Sequence, residues 1–229
     1  MQEGAATIGS PPIPLVLRVS KRARRLSLRV SSLDGRVTLT RPAWVKVEDA
    51  LDFAATREDW LRMQLGRQED PVQMVHGVRL PFEGRMATLE VAEGRRVHLA
   101  DDVLFAPRHG TGAAVEAFLK ARARDRGSAA VERYARVLGR SASRLSFRDT
   151  RSRWGSCTTR GGIMLSWRLI LAPPEILDYV AAHEVAHLKH MDHSPAFWAQ
   201  VEALYPDHKR ASAWLREHGP GLHRYRFRD

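Results

Sequence analysis

The chain has 229 residues, enough for one large domain or two smaller ones with a buried core, and 44% of them are apolar. No apolar run approaches the ~20 residues that a membrane-spanning helix needs, and the single cysteine, Cys157, excludes an internal disulfide. The first twelve residues lack a basic start followed by an apolar stretch, so we expect no secretory signal and a cytoplasmic location.

Positive charge is concentrated in the second half of the chain. The net charge is +11, and residues 1–107 carry 16 Lys/Arg against 14 Asp/Glu, whereas residues 108–229 carry 21 against 12. This excess favours an acidic partner such as a nucleic acid, a nucleotide or an acidic protein segment, although positive charge also serves solubility alone. The sequence contains no recognisable zinc-finger, RRM or helix-turn-helix pattern.

The first half of the chain predicts mainly short strands. Residues 1–12 are small and polar and predict a disordered tail. Alternating apolar residues then predict a hairpin around Asp34-Gly35, because this dipeptide is typical of tight turns between strands. After Pro42, periodic apolar residues predict a helix over about 47–66. A small antiparallel sheet is predicted from alternating runs at 74–82, 86–92, 96–99 and 103–106.

The second half of the chain predicts helices and a few short strands. An Ala/Arg-rich stretch predicts a helix over about 112–138, and Gly139 lies where a left-handed C-terminal cap would be. Short strands are predicted at 144–149, 153–157 and 162–167. Three further helices are predicted, beginning at Pro173-Pro174, at Ser194 as N-cap and at about residue 207.

These elements predict an α+β fold. We expect a β-rich N-terminal region, an antiparallel sheet plus a helix, over residues 13–107, and a separate C-terminal domain over 108–229.

The segment His183-Glu184-Val185-Ala186-His187 lies within a predicted helix and matches the pattern H-E-x-x-H. Helical residues four apart lie on one face, so both imidazoles can bind one metal ion at about 2.0–2.1 Å. Glu184 lies about 100° round the helix from His183, where it can contact a water on the metal rather than the metal itself.

A catalytic zinc site needs a third protein ligand and leaves a fourth position open for water. His193 has the spacing of the third histidine in H-E-x-x-H-x-x-G-x-x-H, and His190 occupies the glycine position of that pattern. His190 is the alternative third ligand, but it would lie on the same helix as His187 and leave the ion on one helix only. The favoured prediction is therefore one zinc ion on His183, His187 and His193, although such sites also accept other divalent ions.

This set of residues predicts a metal-dependent hydrolase. Zinc lowers the pKa of its bound water to about 7, and Glu184 would take the proton as general base. The hydroxide would attack a carbonyl or phosphoryl centre that the metal polarises. A purely structural zinc site is disfavoured, because structural sites are usually closed by four protein ligands and need no glutamate.

Three segments resemble the YgjP-like metallopeptidase family, which is related to the SprT-like and WLM zincins. They are Arg153-Trp154-Gly155-Ser156-Cys157, the run 177–188 and His193-Ser194-Pro195-Ala196-Phe197-Trp198. The specific motifs cover about residues 148–200, and a looser resemblance, which includes the N-terminal hairpin and the helix of Trp60, covers nearly the whole chain. The resemblance implies a zincin-like catalytic domain over 108–229, zinc on the three histidines, Glu184 as catalytic base and a peptide or protein substrate.

Two alternative functions stay open at this point. A metal-dependent hydrolase of nucleotides or other phosphate esters, releasing phosphate or pyrophosphate, fits the basic C-terminal half. A nucleic-acid-associated peptidase that acts on DNA-bound proteins, by analogy with SprT-like enzymes, would bind with a steep dependence on salt.

Arg151, Arg153 and Trp154 are candidates for substrate binding. Arg153 and Trp154 lie on a predicted strand that would border the cleft, where a peptide could add by strand pairing, and Arg151 and Arg153 could hold phosphate. The alternative for this segment is a core tryptophan and a structural arginine. Cys157 could contact the metal, but a small buried hydrophobic role is favoured.

The remaining candidates are supporting residues of the site. Ser194 is expected to cap a helix, and Phe197 and Trp198 are expected to pack against the turn that carries His193. Ligand imidazoles usually need a hydrogen-bond partner, and the candidates are Asp178, Asp192 and His208.

Overall fold

A computed structural model of the chain describes residues 3–31, 34–66 and 70–228. The chain forms two compact units, Met1–Asp70 and Pro71–Asp229. Both contain helices and strands, which confirms the predicted α+β class. No helix in the described ranges is long and apolar enough to cross a membrane.

The first unit is a four-stranded sheet with two helices. Its strands lie in the order β1-β2-β4-β3, and its core contains fully buried Leu39 and Leu61. The elements are β1 (Glu3–Ile8), β2 (Ile13–Ser20), β3 (Ser27–Val30), β4 (Val37–Pro42), α1 (Val47–Ala55) and α2 (Glu58–Gly66).

The predicted hairpin is confirmed, because β3 and β4 pair antiparallel with Val30 opposite Val37. The predicted disordered tail is wrong from Glu3 onward, since β1 pairs along its whole length with β2, while residues 1 and 2 lie outside the described ranges. Ile8 and Ile13 are buried, so apolar contact holds this strand to the sheet.

The predicted helix over 47–66 is interrupted at Thr56, whose hydroxyl donates to the carbonyl of Phe53 at 2.8 Å. A threonine hydroxyl that bonds to a preceding carbonyl competes with helix continuation, and periodicity alone does not reveal such a break.

The second unit begins with short strands and a long helix. These are β5 (Val72–Gln73), β6 (Arg79–Phe82), β7 (Arg85–Ala92), β8 (His98–Ala100), β9 (Val103–Pro107) and α3 (Thr111–Leu138). Gly139 caps α3 with φ of 67°, as its position in the sequence predicted. Left-handed φ at this position costs glycine little, which explains where the helix ends.

The rest of the second unit surrounds one buried helix, α4. In chain order its elements are β10 (Arg144–Arg148), β11 (Gly155–Cys157), β12 (Gly162–Ser166), the 3-10 helix Trp167–Leu171, α4 (Pro174–Ala186), α5 (Pro195–Leu204), α6 (His208–His218), the 3-10 helix Gly219–His223 and β13 (Tyr225–Arg226). Nine of the residues of α4 are buried, from Ile176 to Ala186, so the helix packs on several sides at once. Its neighbours include α3, α5, α6, β11 and β12.

Two predictions about residues 71–107 are corrected by the structure. The sheet they form has the order β6-β7-β9-β8, and β7 pairs with β9 in parallel, so it is mixed rather than antiparallel. Residues on both sides of the predicted boundary at 107/108, such as Leu89, Leu104 and Leu119, are fully buried in one continuous core. A small sheet cannot bury its apolar face alone, so this segment belongs with the C-terminal unit.

Candidate metal centre

The C-terminal end of α4 presents two histidines from a buried helix. Proline is tolerated at the first positions of a helix, and Pro174 opens α4. Small and branched apolar residues, among them Ala181, Ala182 and Val185, are fully buried on the way to the site. His183 lies in the last turn, and His187 is the C-cap, so the helix stops at the second histidine.

A tight turn brings the third histidine back to the helix end. The amide of His190 donates to the carbonyl of Ala186 at 3.1 Å, which closes the turn without a left-handed residue at position 190. The chain then reaches His193, directly before the N-cap of α5. Ser194 Oγ accepts from the amide of Phe197 at 3.4 Å, as predicted for a capping serine.

The three imidazoles converge on one point. Each of His183, His187 and His193 offers a ring nitrogen, and these atoms all lie within 4.8 Å of one another. The Nε2 atoms of His183 and His193 are 3.4 Å apart. Two ligand atoms of a tetrahedral zinc site are about 3.3–3.4 Å apart when the metal–nitrogen distances are 2.0–2.1 Å. The separation between His183 and His193 therefore matches two ligands of a tetrahedral metal ion, and a nitrogen of His187 lies within 4.8 Å of both.

The ring of His187 is held in one orientation by the turn. Its Nδ1 lies 2.9 Å from the carbonyl oxygen of His190. A carbonyl only accepts, so Nδ1 carries the proton and Nε2 is left with a lone pair for a metal. His190, the alternative third ligand, thus contributes its backbone carbonyl, and its ring is not in the cluster.

Phe197 forms a floor under all three histidines. Its ring is fully buried, and its centroid lies 4.9 Å from His183, 4.3 Å from His187 and 4.8 Å from His193. Trp198 packs against two of the same rings, at 5.7 Å from His183 and 5.9 Å from His193. Aromatic packing on this scale restricts ring rotation before any metal binds.

Burial favours the neutral form of His183 and His187. It lowers the pKa of His183 to about 4, assisted by His187, His193 and His208, and it also lowers the pKa of His187. Neutral imidazole is the form that ligates a metal, so these rings need not lose a proton at neutral pH.

Glu184 lies beside the cluster in a buried position, 5% exposed. Burial raises the pKa of its carboxyl to about 8, although the charge of Arg153 opposes this. The side chain lies against the backbone of Gly155, where a Cβ atom would come within 2.6 Å of Glu184 Cγ. Only glycine leaves room there. The sequence analysis did not predict this role of Gly155. The residue stood out only as part of the family motif, and its neighbours Trp154 and Ser156 do not indicate a contact with Glu184.

The strand β11 forms one wall of a cleft of about 300 Å³, lined also by the three histidines, Glu184 and Met191. This strand lies at the edge of its sheet, in the order β10-β12-β11. The carbonyl of Trp154 and the amide of Thr158 bond to the neighbouring strand β12. Main-chain groups alternate along a strand, so those of Gly155 and Cys157 point away from β12.

The other predicted substrate residues have different positions. The Trp154 ring packs on His223, with centroids 5.0 Å apart, and a Cβ on Gly219 would approach this ring to 3.0 Å, so Trp154 has a packing role. Arg153 is exposed and acts on Glu184 through its charge. Arg151 lines a different cavity from the cleft.

None of the three candidate partners bonds to a ligand imidazole within the described ranges. Asp178 pairs with Arg133 at 2.9 Å, the Asp192 carboxylate accepts from the amide of Ser194 at 3.4 Å, and His208 stacks on Trp198. Cys157 lines the cleft, and burial, with Glu184, raises the pKa of its thiol to about 11, so it stays protonated at neutral pH.

Comparison with known proteins identifies the family of this chain. The family model of the YgjP-like metallopeptidase domain matches residues 24–218. The solved structure of the metallopeptidase zymogen of Pyrococcus abyssi abylysin aligns with a TM-score of 0.36 and 23% identity, over 40% of this chain and 93% of that chain. No curated protein matched. Because the family model spans most of the sequence, the predicted resemblance is confirmed, and the chain belongs to the YgjP-like metallopeptidase family.

Proposed function

We propose that this metallopeptidase is zinc-dependent, that His183, His187 and His193 hold the zinc, and that Glu184 is the general base. The observation that carries the proposal is the convergence of three histidine nitrogens within 4.8 Å beside a buried carboxyl group. Three ligands and an open side are typical of catalytic rather than structural zinc. Bound there, zinc would polarise the scissile carbonyl and lower the pKa of water.

Glu184 has the environment of a general base. The best base for a reaction near neutral pH has a pKa near neutral, and burial moves Glu184 in that direction from its ordinary value of 4.5. A nearby divalent cation would favour the ionised carboxylate, which is the form that accepts a proton. The glycine at position 155 leaves room for the Glu184 side chain, and both residues line the cleft.

The edge of β11 is the proposed place for the peptide. The outward main-chain groups of Gly155 and Cys157 can pair with an extended substrate, as in other cases of strand addition. Such pairing uses main-chain hydrogen bonds rather than side-chain contacts, so it would position peptides of many sequences equally well. A peptide on this edge passes the histidines and Glu184, which line the same cleft.

The test combines metal content with hydrolysis. Mass spectrometry should find one zinc per chain in the wild type and in Glu184→Gln, and none in His183→Ala or His193→Ala. His190→Ala is the matched control, because that residue contributes through its backbone carbonyl, and it should keep its zinc. Casein hydrolysis should fall by at least about a hundredfold in Glu184→Gln.

The outcomes that contradict the proposal are distinct. Zinc retained in His193→Ala would refute the ligand set, and zinc absent from the reconstituted wild type would refute the site. A panel of nucleoside triphosphates run in parallel tests the phosphate-ester alternative. Release of phosphate without cleavage of any peptide would replace the peptidase assignment for this site.

A further inference from the structure

A second cavity in the same unit, of about 360 Å³, is strongly basic. We name it the basic cavity. Its lining comes from α3, from the segment between β10 and β11, from both 3-10 helices and from the C-terminal residues 226–228. Its five cationic side chains are Lys120, Arg151, Arg168, Arg226 and Arg228.

Two carboxylates in the lining offset only part of this charge. Glu116 accepts from Lys120 at 2.7 Å and Arg228 at 3.0 Å, and Asp149 pairs with Arg168 at 2.7 Å. Burial opposes ionisation of both acids, but the neighbouring cations outweigh it, so the pKa of each lies below its ordinary value and both are charged at neutral pH. Among the described residues of the lining, the cationic side chains therefore exceed the carboxylates by three.

Arg226 is the cation whose charge is available to a ligand. Its side chain lines the cavity, and it has no side-chain hydrogen bond or ion pair with any residue in the described ranges. Arg226 is half-buried, and unopposed positive charge in a concave site raises the local concentration of anions.

Arg168, in the lining of the basic cavity, is held by several hydrogen bonds. Arg168 is 7% exposed, and beyond Asp149 it donates to the carbonyls of Leu222 and Tyr225, each at 3.1 Å. His223 is also buried, and burial, with the charge of Arg168, lowers its pKa to about 4. The fold therefore fixes the position of the Arg168 charge, which an anion entering the cavity would meet.

The basic cavity and the metal cleft share one short segment of chain. His223 lines the cavity and packs against Trp154, which directly precedes the cleft residue Gly155. Arg151 is four residues before Gly155, so their Cα atoms are at most about 14 Å apart. An extended peptide on β11 covers this upper limit in about four residues, so four residues suffice to reach from Gly155 to Arg151.

We propose that the basic cavity binds the carboxylate of an acidic residue in the peptide substrate, about four residues from the scissile bond. This inference rests on the proposed peptidase function. Strand pairing at β11 would give backbone affinity, and the cavity would add sequence preference. The same chemistry would hold a free oxyanion such as inorganic phosphate, and the experiment separates the two sources.

The test uses peptide pairs with one cleavable core, differing by Glu or Gln three to five residues from the scissile bond on either side. On one side of the scissile bond, the wild type should cleave the Glu peptide with a kcat/KM about tenfold higher than that of the matching Gln peptide. This ratio corresponds to one charge-assisted contact. The Glu/Gln ratio should fall towards one in Arg226→Gln and be kept in Arg226→Lys. Arg144→Gln, which makes the same charge change at an exposed position on β10, should keep the ratio.

The opposing results are equally concrete. A ratio near one in the wild type, or a tenfold ratio that persists in Arg226→Gln, would overturn the inference. Inorganic phosphate that binds by calorimetry in an Arg226-dependent manner, without any Glu preference, would assign the cavity to a free oxyanion instead. If no peptide is cut, the peptidase proposal itself fails, and calorimetry with the Glu and Gln peptides on Glu184→Gln still decides whether the cavity prefers the acidic peptide.

Discussion

Gly155 is the residue at which the wall of the cleft meets the proposed base. A methyl group there would approach Glu184 Cγ to 2.6 Å, far inside van der Waals contact. Moving the buried Glu184 carboxyl deeper into the packed interior would cost free energy. In Gly155→Ala the Glu184 side chain must therefore rotate away from its present position.

We therefore expect Gly155→Ala to lower kcat by about tenfold to a hundredfold while zinc stays bound, because small misplacements of a catalytic group are costly. Steady-state kinetics with metal analysis on the same samples measures this. Gly66→Ala is the control, since a Cβ at that position has nothing within 4 Å. Full activity in Gly155→Ala would show that the position of Glu184 does not matter.

At the scale of elements, the site depends on where α4 ends and α5 begins. His187 closes one helix, and His193 lies one residue before the N-cap of the next, so two helix ends and a turn determine the distance between these proposed ligands. The carbonyl of His190 links this turn to the ring of His187. We therefore expect metal affinity and helix capping to be coupled in this segment.

Ser194→Ala should show that coupling. Loss of the cap is expected to lower the free energy of unfolding of the metal-free protein by about 1 kcal/mol and to weaken zinc binding as His193 becomes mobile. Urea denaturation and competition with a chelator measure the two effects. Ser194→Asp keeps a capping side chain and should behave like the wild type. Equal zinc affinity in Ser194→Ala and the wild type would show that the Ser194 cap does not contribute to zinc binding.

At the scale of the whole molecule, long-range ion pairs join the C-terminal residues to the core. Glu116 on α3 bonds to Arg228, far along the chain, as well as to Lys120, and its side chain is only 10% exposed. Burial raises the pKa of Glu116, but the two cations outweigh burial, so the pKa lies below its ordinary value of 4.5.

A depressed pKa in the folded state gives stability that is present above the unfolded value and lost as the pH falls through the folded value. Glu116→Gln should therefore lower the free energy of unfolding by about 1–2 kcal/mol at pH 7, and the difference from wild type should vanish as the pH falls below 4.5. Urea denaturation at several pH values measures it. Glu132→Gln, exposed on the same helix, should stay within about 0.5 kcal/mol of wild type. A pH-independent difference would rule out the charge as its cause.

The extent of the catalytic unit is a further prediction at this scale. The turn between β6 and β7 docks on later elements, because the amide of Glu83 donates to the carbonyl of Ile170 at 2.8 Å and Gly84 lies against Pro173. A fragment of residues 71–229 should unfold cooperatively and bind one zinc, whereas a fragment of 108–229 should do neither, since it exposes the apolar face that β6 to β9 cover. Circular dichroism and metal analysis test both. Zinc binding and cooperative unfolding by the shorter fragment would restore the boundary expected from the sequence.

Much of the site could be predicted from sequence because its geometry is local. Helical spacing places His183 and His187 on one face, and Pro195 after Ser194 predicts that α5 starts two residues after His193. The hairpin at Asp34-Gly35 and the cap at Gly139 were predictable for the same reason, since turn chemistry depends on neighbouring residues.

By itself, then, the sequence determined the α+β class, the local helices and turns, the family and the histidine motif. Only the tertiary structure decided that β7 and β9 pair in parallel, that residues 71–107 share the core of the C-terminal unit, and that Gly155 touches Glu184. The physical reason is that the first group depends on contacts within about one turn or one hairpin. The second group of features depends on which apolar faces, distant in sequence, pack against one another. The periodicity of a single sequence does not indicate which faces these are.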